Sequence, residues 1–490
     1  MDNKKVVVIG GGFAGLSAAS YLANEGIEVT LLEKHDTVGG RARKFSKNGF
    51  TFDMGPSWYW MPDVFEQYFS DFGYQVSDLY QLERLDPSYD VFFKKEKISV
   101  PTSEADLFEL FERYESGSSL RLKKFFDEAE IKYKIGLGEF VSKPSLSIFE
   151  FAQLDLLKKA LKLDIFKSMR KHVAEVVKHP YLRLILEFPV LFLGQTAANI
   201  PALYSLMNYA DLKLGTWYPM GGMNKIIEAM EKVAIELGVN IETNQNVLHI
   251  RTHKGKAYEV YSSQGSFKTD YIISSADYAF TEKNLLFESD RSYSDNYWNS
   301  RKMAPSSLLY YVGLNTKIDK LKHHSLFFDS NFENHAKEIY TTHKWPTDPL
   351  FYLCAPSRTD KSVAPPGKEN LFFLIPTSVE LNDDNEIIRK KYFEMICKRM
   401  EGHFGIDISK HIEVYETFSR KEFMQEYNSH KGNAYGLANT LDQTAFLKPK
   451  LKSKKVENLY FAGQLTTPGP GVPPSLISGK VAAEQILKTI

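Results

Sequence analysis

The N-terminal region reads Lys5-Val-Val-Val-Ile9, Gly10-Gly-Gly12-Phe-Ala-Gly15, Leu16-Ser-Ala-Ala-Ser-Tyr-Leu-Ala23 and Glu28-Val-Thr-Leu-Leu-Glu33. This order predicts a short apolar strand, a glycine turn, a helix of small residues and a second strand. The turn matches G-x-G-x-x-G: Gly10 allows the tight turn, Gly12 lets backbone N–H groups approach a pyrophosphate, and Gly15 lets the helix pack closely on the sheet. Glu33 ends the second strand, where an acidic side chain holds a ribose. The stretch therefore predicts a dinucleotide-binding βαβ unit, with the positive end of the helix dipole facing the phosphates.

Two other interpretations of this stretch are weaker. The first is a glycine-rich turn in a βαβ unit that binds no nucleotide. The second is a secretory signal, because Lys4 and Lys5 precede an apolar run with small residues. Glycines occupy the centre of that run, however, and the run leads directly into a second strand, which favours dinucleotide binding.

A second glycine pair follows the predicted ribose-binding acid, in Lys34-His-Asp-Thr-Val-Gly39-Gly40-Arg41-Ala-Arg43. Arg41 supplies a bidentate donor for pyrophosphate oxygens. The segment resembles the Gly-Gly-Arg motif of the FAD-binding amine oxidase and carotenoid desaturase superfamily. The resemblance implies FAD as the cofactor, since NAD-linked dehydrogenases do not generally need this extension.

Composition narrows the class of protein. A chain of 490 residues is too long for one simple core, so two or three domains are expected. The formal net charge is zero, with 61 basic and 61 acidic residues, which argues against nucleic-acid binding. Cys354 and Cys397 are the only cysteines, so no disulfide framework is expected and a reducing, cytoplasmic setting fits. No run of about 18 uncharged apolar residues occurs, so no membrane span is predicted.

An aromatic turn follows the arginine segment, in Gly49-Phe-Thr-Phe-Asp53-Met-Gly55-Pro56-Ser57-Trp58-Tyr59-Trp60. Gly55 and Pro56 can set the backbone beside a flavin ring. For Trp58, Tyr59 and Trp60, core packing and the lining of a substrate channel are equally open interpretations.

The segment from about residue 104 to 215 reads as helical. Within it, Pro180-Tyr-Leu-Arg-Leu-Ile-Leu-Glu-Phe-Pro-Val-Leu-Phe-Leu-Gly194 is strongly apolar. Basic residues precede it: Lys158, Lys159, Lys162, Lys167, Arg170, Lys171 and Lys178. Basic residues beside an apolar helical surface are typical of an interfacial membrane contact, so peripheral membrane binding is predicted. A buried helix beside a solvated charged neighbour is the alternative.

The C-terminal region carries a further glycine motif. Asn458-Leu-Tyr-Phe-Ala-Gly463-Gln464 predicts a last sheet strand, and Gly469-Pro-Gly471-Val472-Pro-Pro474 predicts a loop that opens a helix. Gly463 lets the backbone meet the ribityl phosphate, while the N–H groups at Gly471 and Val472 face the flavin pyrimidine. Such donors stabilise an anionic reduced flavin and favour hydride acceptance.

These motifs, with Asp53-Met-Gly55-Pro56 and the segment from Tyr352 to Pro376, resemble bacterial and fungal phytoene desaturases over nearly the whole chain. The resemblance implies FAD-dependent desaturation of an acyclic or monocyclic carotenoid at the cytoplasmic face of a membrane, with a quinone or oxygen as electron acceptor. It also implies that Val247 contacts the adenine through its backbone. Gln464 departs from the Asp of many related flavoproteins, although the family varies at this position. The motifs do not separate phytoene desaturases from hydroxycarotenoid 3,4-desaturases, diapophytoene desaturases or carotenoid isomerases.

The predicted fold class is α/β, with three parts. A Rossmann-type FAD-binding domain, like those of amine oxidases and GDP dissociation inhibitors, takes residues 1–60, 216–285 and 441–490. A β-sheet substrate domain takes residues 61–103 and 286–440. A helical subdomain, predicted to contact the membrane, takes residues 104–215.

The predicted site residues fall into two groups. The cofactor contacts are Gly10, Gly12, Phe13, Ala14, Gly15, Glu33, Lys34, Gly39, Gly40, Arg41, Gly55, Pro56, Ser57, Val247, Gly463, Gln464, Gly471, Val472 and Pro473. The substrate contacts are Trp58, Tyr59, Trp217, Tyr218 and Met223, with Trp60, Phe188 and Phe192 as further apolar lining.

No catalytic residue or metal site is predicted. Asp442 and Glu422 lie near relevant motifs, but helix caps or surface charges explain both. Four histidines have irregular spacing and are interpreted as surface or packing residues: His323, His324, His335 and His343.

Three alternative functions remain open: a flavin amine oxidase, a flavin-free prenyl-binding escort and a redox-neutral FAD-containing isomerase. The sequence has no cysteine near the C-terminal motif, which argues against an amine oxidase with covalently bound flavin. The intact nucleotide motif argues against the escort. The isomerase is the closest rival.

Overall fold

The first motif forms the middle of a five-stranded sheet in the computed structural model, which describes residues 4–141, 143–144, 164, 167–440, 442–444 and 447–490, without the side chains of residues 139, 140 and 192. The strand order is Leu459–Phe461, Tyr271–Ser274, Lys5–Ile9, Glu28–Leu32 and Asn240–Glu242. Every neighbouring pair is parallel. The valines of the central strand are buried, as expected for a parallel strand covered on both faces.

Two helices from opposite ends of the chain, Phe13–Asn24 and Val472–Leu487, pack against each other beside this sheet. Their close approach depends on Gly479, where an added Cβ would overlap the Ala14 carbonyl oxygen and lie 2.8 Å from Ser17 Cβ. Ser17 Oγ also donates a hydrogen bond to the Leu476 carbonyl at 2.8 Å. The two glycine motifs are therefore held side by side.

A second, seven-stranded sheet has the order Ile412–Phe418, Ser306–Leu314, Glu369–Thr377, Phe351–Cys354, His324–Phe327, Tyr89–Phe92 and Lys97–Val100. Its neighbours are antiparallel except for the parallel pair His324–Phe327 and Tyr89–Phe92. One face packs on helix Glu386–Phe404. Because successive side chains along a strand point to opposite faces, the other face of this sheet can contribute side chains to the site described below.

The remaining elements complete three smaller units. A three-stranded antiparallel sheet comprises Val247–His253, Lys256–Ser262 and Ser266–Lys268, and two strand pairs join Lys44–Lys47 to Phe50–Asp53 and Leu82–Arg84 to Trp217–Pro219. Among the described residues, the other α-helices are Pro62–Ser70, Glu104–Tyr114, Ser118–Ile135, Met169–Val176, Pro180–Glu187, Leu206–Asn208, Asn224–Glu236, Tyr278–Phe280, Asp295–Ser300, Phe332–Tyr340 and Arg420–Tyr427. All strands of the five-stranded sheet come from segments predicted for the FAD-binding domain, and all strands of the seven-stranded sheet come from segments predicted for the substrate domain.

The apolar stretch interpreted as a membrane contact is largely core. Leu182, Ile185 and Leu186 of helix Pro180–Glu187 are fully buried, because the helix turns its apolar face towards the protein interior. The buried-helix alternative therefore describes this stretch. Lys158, Lys159 and Lys162 lie outside the described residues. Within the part of the chain that the structure describes, no helix is long and apolar enough to cross a membrane.

Candidate functional site

A single cavity of about 1140 Å³ is lined by residues of both large sheets. The five-stranded sheet contributes the glycine turns at the carboxyl ends of its strands, where open α/β sheets bind ligands. The seven-stranded sheet contributes apolar side chains such as Leu309, Leu326, Phe372 and Leu374. The cavity therefore joins a polar, glycine-rich part to an apolar part.

The two N-terminal glycine segments form an open cradle. The Gly39 N–H donates to the Gly11 carbonyl at 2.7 Å, which ties the segments together. A Cβ added at Gly12 would meet only the Gly40 Cα, at 3.9 Å, so the space in front of Gly12 is open. Since this space lies at the N-terminus of helix Phe13–Asn24, it fits an anionic pyrophosphate.

The predicted ribose-binding acid is held in one orientation. Glu33 is only 4% exposed and lines the cavity. Its carboxylate accepts hydrogen bonds from the Gly11 N–H at 2.8 Å and the His35 N–H at 3.0 Å. A carboxylate has about four lone-pair sites, so acceptor capacity remains for a ribose hydroxyl.

Arg41 brings an incompletely satisfied guanidinium to the cavity. Its Nη2 donates to Ser429 Oγ at 3.3 Å, whereas its buried Nε has no hydrogen-bond partner among the described residues. Burial lowers the pKa of Arg41, an effect opposed by the neighbouring carboxylate of Asp277 and by Tyr427. A buried, unpartnered N–H beside an open anion cradle fits the pyrophosphate of a dinucleotide.

The cavity brings together nearly all the predicted cofactor residues. Besides those above, the predicted residues that line it are Gly10, Phe13, Ala14, Lys34, Gly39, Gly40, Gly55, Pro56, Ser57, Val247, Gly463, Gln464, Gly471, Val472 and Pro473. Gly15 does not line it. A Cβ at Gly15 would overlap the Gly10 carbonyl oxygen and lie 2.7 Å from Ser275 Oγ. Gly15 therefore acts through packing of the helix on the sheet.

The predicted substrate residues divide between wall and core. Trp58, Trp60 and Phe188 line the cavity, whereas Tyr59 does not. The Tyr59 hydroxyl instead lies 2.9 Å from that of Tyr80. Neighbouring side chains of this extended segment point to opposite sides. The sequence pattern alone does not show which of the two sides faces the cavity.

Three other predicted substrate contacts, Trp217, Tyr218 and Met223, also lie outside the wall of this cavity. Trp217 pairs with Tyr59 in an isolated bridge. Tyr218 and Met223 border a separate cavity of only about 20 Å³. The Met223 N–H donates to Asp53 at 2.8 Å, so the Asp-Met-Gly-Pro segment holds the start of helix Asn224–Glu236. The side chain of Phe192 lies outside the described residues.

A polar network in the cavity wall was missed from the sequence. The Tyr352 hydroxyl donates to Ser57 Oγ at 2.9 Å and lies 2.7 Å from His324 Nδ1. The His324 ring stacks on Trp58, with 4.1 Å between ring centroids. Burial lowers the pKa of His324 well below its usual value, so the ring is neutral. No sequence signal could join these residues, because they lie on three separate elements.

One histidine pair also approaches a cysteine. The ligand atoms of His323, His324 and Cys354 lie within 4.8 Å of one another. Burial raises the pKa of the Cys354 thiol to about 12, which favours the protonated thiol over the thiolate that binds metals. We therefore assign no metal to this group.

The acids considered as candidate bases are engaged elsewhere. Glu422 caps helix Arg420–Tyr427 and pairs with Arg389 at 2.8 Å. Asp442 is exposed and pairs with Lys302 at 2.6 Å. Among the described residues, the carboxylates that line the cavity are Glu33, Asp277 and Glu426. All three lie in its glycine-rich part or beside the arginines next to it.

Comparison with known proteins gives the class to which this site belongs. Residues 13–487 match the family described as flavin containing amine oxidoreductase. The solved structure of putrescine oxidase bound to putrescine is similar with a TM-score of 0.62, at 15% identity, covering 99% of each chain. At this identity the likeness concerns the fold alone, and it confirms the predicted fold class.

Two curated relatives narrow the class. A carotenoid 3,4-desaturase of Haloarcula japonica is 39% identical over 100% of this chain and 99% of the relative. A 4,4'-diapophytoene desaturase of Staphylococcus aureus is 30% identical over 99% of both chains. The chain therefore belongs to the flavin containing amine oxidoreductases and, within them, to the carotenoid desaturases. The prediction of FAD as the cofactor is confirmed by this membership.

Proposed function

We propose that the protein is an FAD-dependent carotenoid desaturase that introduces C=C bonds into an acyclic or monocyclic carotenoid during carotenoid biosynthesis. The observation that carries the proposal is the single cavity, in which a dinucleotide cradle continues into an apolar wall. A hydrocarbon chain has few polar groups, so its binding must come from burial, which contributes roughly 25 cal/mol per Å² of apolar surface. The names of the two curated relatives support the same reaction.

Different residues would contact the cofactor and the substrate. Glu33, the Gly12 cradle and Arg41 would hold the ribose and pyrophosphate, and Gly471 and Val472 line the cavity at the start of helix Val472–Leu487. FAD, when bound, supplies the hydride acceptor for the reaction. Trp58, with its neighbours in the apolar wall, would exclude water from the substrate chain.

The proton released in desaturation has no carboxylate acceptor in the apolar part of the cavity, as far as the described residues extend. A cation next to a conjugated chain is delocalised, so a weak base or water suffices to take that proton. We therefore propose no general base, and the electron acceptor that follows the flavin is proposed to be a quinone or oxygen.

Anaerobic mixing of the holoenzyme with a panel of acyclic and hydroxylated carotenoids tests the reaction. We expect the oxidised flavin band to bleach, the carotenoid spectrum to shift to the red, and the product to lose two hydrogens for each new double bond. A product of unchanged mass would identify an isomerase instead. Oxidation of a primary amine with no reaction of any carotenoid would favour an amine oxidase.

We also propose that the protein associates peripherally with the cytoplasmic face of a membrane, where such a substrate resides. The exposed apolar residues Leu120 and Ile131, at 76% and 49%, lie three turns apart on helix Ser118–Ile135, beside the exposed Lys123 and Lys124. Apolar side chains flanked by lysines suit an interfacial contact. Flotation with liposomes that contain anionic lipid should recover the wild type, and less of a Leu120→Ser/Ile131→Ser variant. Equal recovery would contradict a role for this helix, and no recovery of either protein would contradict the association.

A further inference from the structure

Lys448 is a buried lysine beside the loop that leads into helix Val472–Leu487. The residue is only 3% exposed. Its Nζ donates a hydrogen bond to the Pro468 carbonyl at 2.5 Å. Gly469 leaves room for the amine, because a Cβ added at Gly469 would overlap Lys448 Nζ. The end of the lysine side chain is therefore held directly against the loop of residues 468–471.

No acidic side chain among the described residues pairs with this amine. The segments that meet it, at Asn439 and residues 468–470, carry no titratable side chain. The nearest acid along the chain, Asp442, pairs with Lys302 at 2.6 Å instead. Burial lowers the pKa of Lys448 to about 7 from 10.5, and no charged neighbour in the described part of the chain opposes that shift. Buried charges are normally paired, because their desolvation is costly. An unpaired lysine therefore points to a negative charge that the chain itself does not supply.

The loop that Lys448 holds forms part of the cavity wall. Pro468, Pro470, Gly471 and Val472 line the cavity. Gly471 and Val472 are predicted flavin contacts, and they stand at the N-terminus of helix Val472–Leu487, the positive end of its dipole. Among the described residues, the carboxylates, lysines and arginines that line the cavity are Glu33, Lys34, Arg41, Asp277 and Glu426. None of these belongs to the C-terminal loop, so in the described part of the chain Lys448 is the source of full positive charge at that loop.

We propose that the positive charge of Lys448, held behind the loop of residues 468–471, stabilises the anionic reduced state of the bound FAD and so raises the reduction potential of the flavin. Lys448 does not line the cavity, so its charge acts across the loop and not by contact. Charges interact over such a distance when the intervening medium has a low dielectric constant, and the charge of Lys448 adds to the partial charge of the helix N-terminus. Two-electron reduction places a negative charge on the flavin, which supplies the counter-charge that Lys448 lacks. The inference concerns the cofactor and does not depend on which substrate is oxidised.

Three substitutions separate the charge of Lys448 from its packing and its hydrogen bond. Lys448→Met removes both the charge and the donor but keeps an unbranched side chain. Lys448→Gln removes the charge and keeps an N–H donor of shorter reach. Lys448→Arg keeps the charge at every pH of the experiment, because a guanidinium does not lose its proton there. Lys455→Met is the matched control, since it makes the same exchange at an exposed lysine that does not line the cavity.

The experiment measures the ratio of reduced to oxidised flavin in each holoenzyme, equilibrated anaerobically with a reference dye of known potential and without substrate. The ratio is taken over bound flavin only, so partial loading with FAD does not change it. At pH 6.5 we expect similar ratios for the wild type, Lys448→Arg and Lys455→Met. For Lys448→Met and Lys448→Gln we expect ratios about tenfold lower, which is about 30 mV for a two-electron couple. As the pH rises to 9.5, the wild-type ratio should fall from the Lys448→Arg value to the Lys448→Met value, because the lysine loses its proton and its charge.

Equal ratios in the wild type, Lys448→Arg and Lys448→Met at pH 6.5 would overturn the proposal. A Lys448→Arg ratio as low as that of Lys448→Met would also overturn it, because the effect would then come from packing and not from charge. If the uncharged variants do not fold or do not bind FAD, the wild type and Lys448→Arg decide: ratios that diverge as the pH rises support the proposal, and ratios that agree at every pH overturn it. If Lys448→Arg is the variant that fails, a gap between the wild type and Lys448→Met that closes towards pH 9.5 supports the proposal, and a constant gap overturns it. Failure of every carotenoid to react would contradict the proposed function and leave this result unchanged.

Discussion

Replacing Gly12 by valine should remove FAD from the protein while leaving the fold of the apoprotein intact. Gly12 has φ −82° and ψ −175°, a backbone conformation that valine adopts without strain. An added Cβ at this position meets only the Gly40 Cα, at 3.9 Å. The Cβ therefore has room at this position, and the valine side chain extends into the space that the pyrophosphate needs.

The magnitude follows from the contacts that the pyrophosphate loses. Hydrogen bonds to a charged group contribute about 1.5–3 kcal/mol each. If valine keeps the phosphates from one backbone N–H and from the Arg41 guanidinium, the loss is about 3–6 kcal/mol, or about 10²–10⁴-fold in the dissociation constant of FAD. The free energy of unfolding of the apoprotein should change by less than about 0.5 kcal/mol, as for a side chain added in open space.

Gly15→Ala is the matched control, since it adds a smaller group to the same motif with the opposite expected result. Its Cβ would overlap the Gly10 carbonyl oxygen, so the helix must shift, and the apoprotein should lose at least about 1–3 kcal/mol of stability. FAD content is measured by absorbance after release from purified protein, and stability by urea unfolding of FAD-stripped samples, because bound cofactor would itself stabilise the fold. Full FAD content in Gly12→Val, or equal destabilisation by both substitutions, would refute the reasoning.

Three further predictions concern stability. Tyr352→Phe should lower the free energy of unfolding by about 1–3 kcal/mol, because Ser57 and His324 both lose a buried partner; a urea-measured loss below about 0.5 kcal/mol would contradict this. Burial lowers the pKa of Lys448 to about 7 from 10.5, so between these values the unfolded chain binds more protons and stability rises with pH. The free energy of unfolding of the wild-type apoprotein, measured relative to that of Lys448→Met, should therefore increase between about pH 7 and about pH 10. A difference that stays constant over this range would contradict the prediction. Gly402 is exposed within helix Glu386–Phe404, and a Cβ added there would meet no other part of the protein within 4 Å. Gly402→Ala should therefore raise the free energy of unfolding by about 0.5–1 kcal/mol and raise the melting temperature. A lower melting temperature would show that the site is not open.

The nucleotide part of the site can be argued from the sequence because its signals are local. Strand, turn and helix around Gly10, Gly12 and Gly15 lie within about 20 consecutive residues, and each glycine has a steric reason that involves its close neighbours. The same reasoning separates Gly12, which faces open space, from Gly15, which faces backbone.

The substrate part is harder to predict from the sequence because its signals are long-range. Apolar composition indicated that Trp58, Tyr59 and Trp217 approach the substrate, yet only Trp58 lines the cavity. Which side of an extended segment faces a cavity depends on elements that pair with it from elsewhere in the chain, as Trp217 does with Tyr59. His335 was assigned to surface or packing for the same reason, since its position in the cavity wall appears only when helix Phe332–Tyr340 is placed beside the site.

An apolar wall binds a long chain firmly but not in a defined position. The hydrophobic effect is non-directional and roughly proportional to buried area, so a carotenoid that slides along the wall by one isoprene unit loses little of it. A desaturase must nevertheless present one particular carbon–carbon bond to its cofactor. A directional contact is needed to set that register, and a hydrogen bond to an oxygen on the chain provides one, because it breaks as soon as the chain slides.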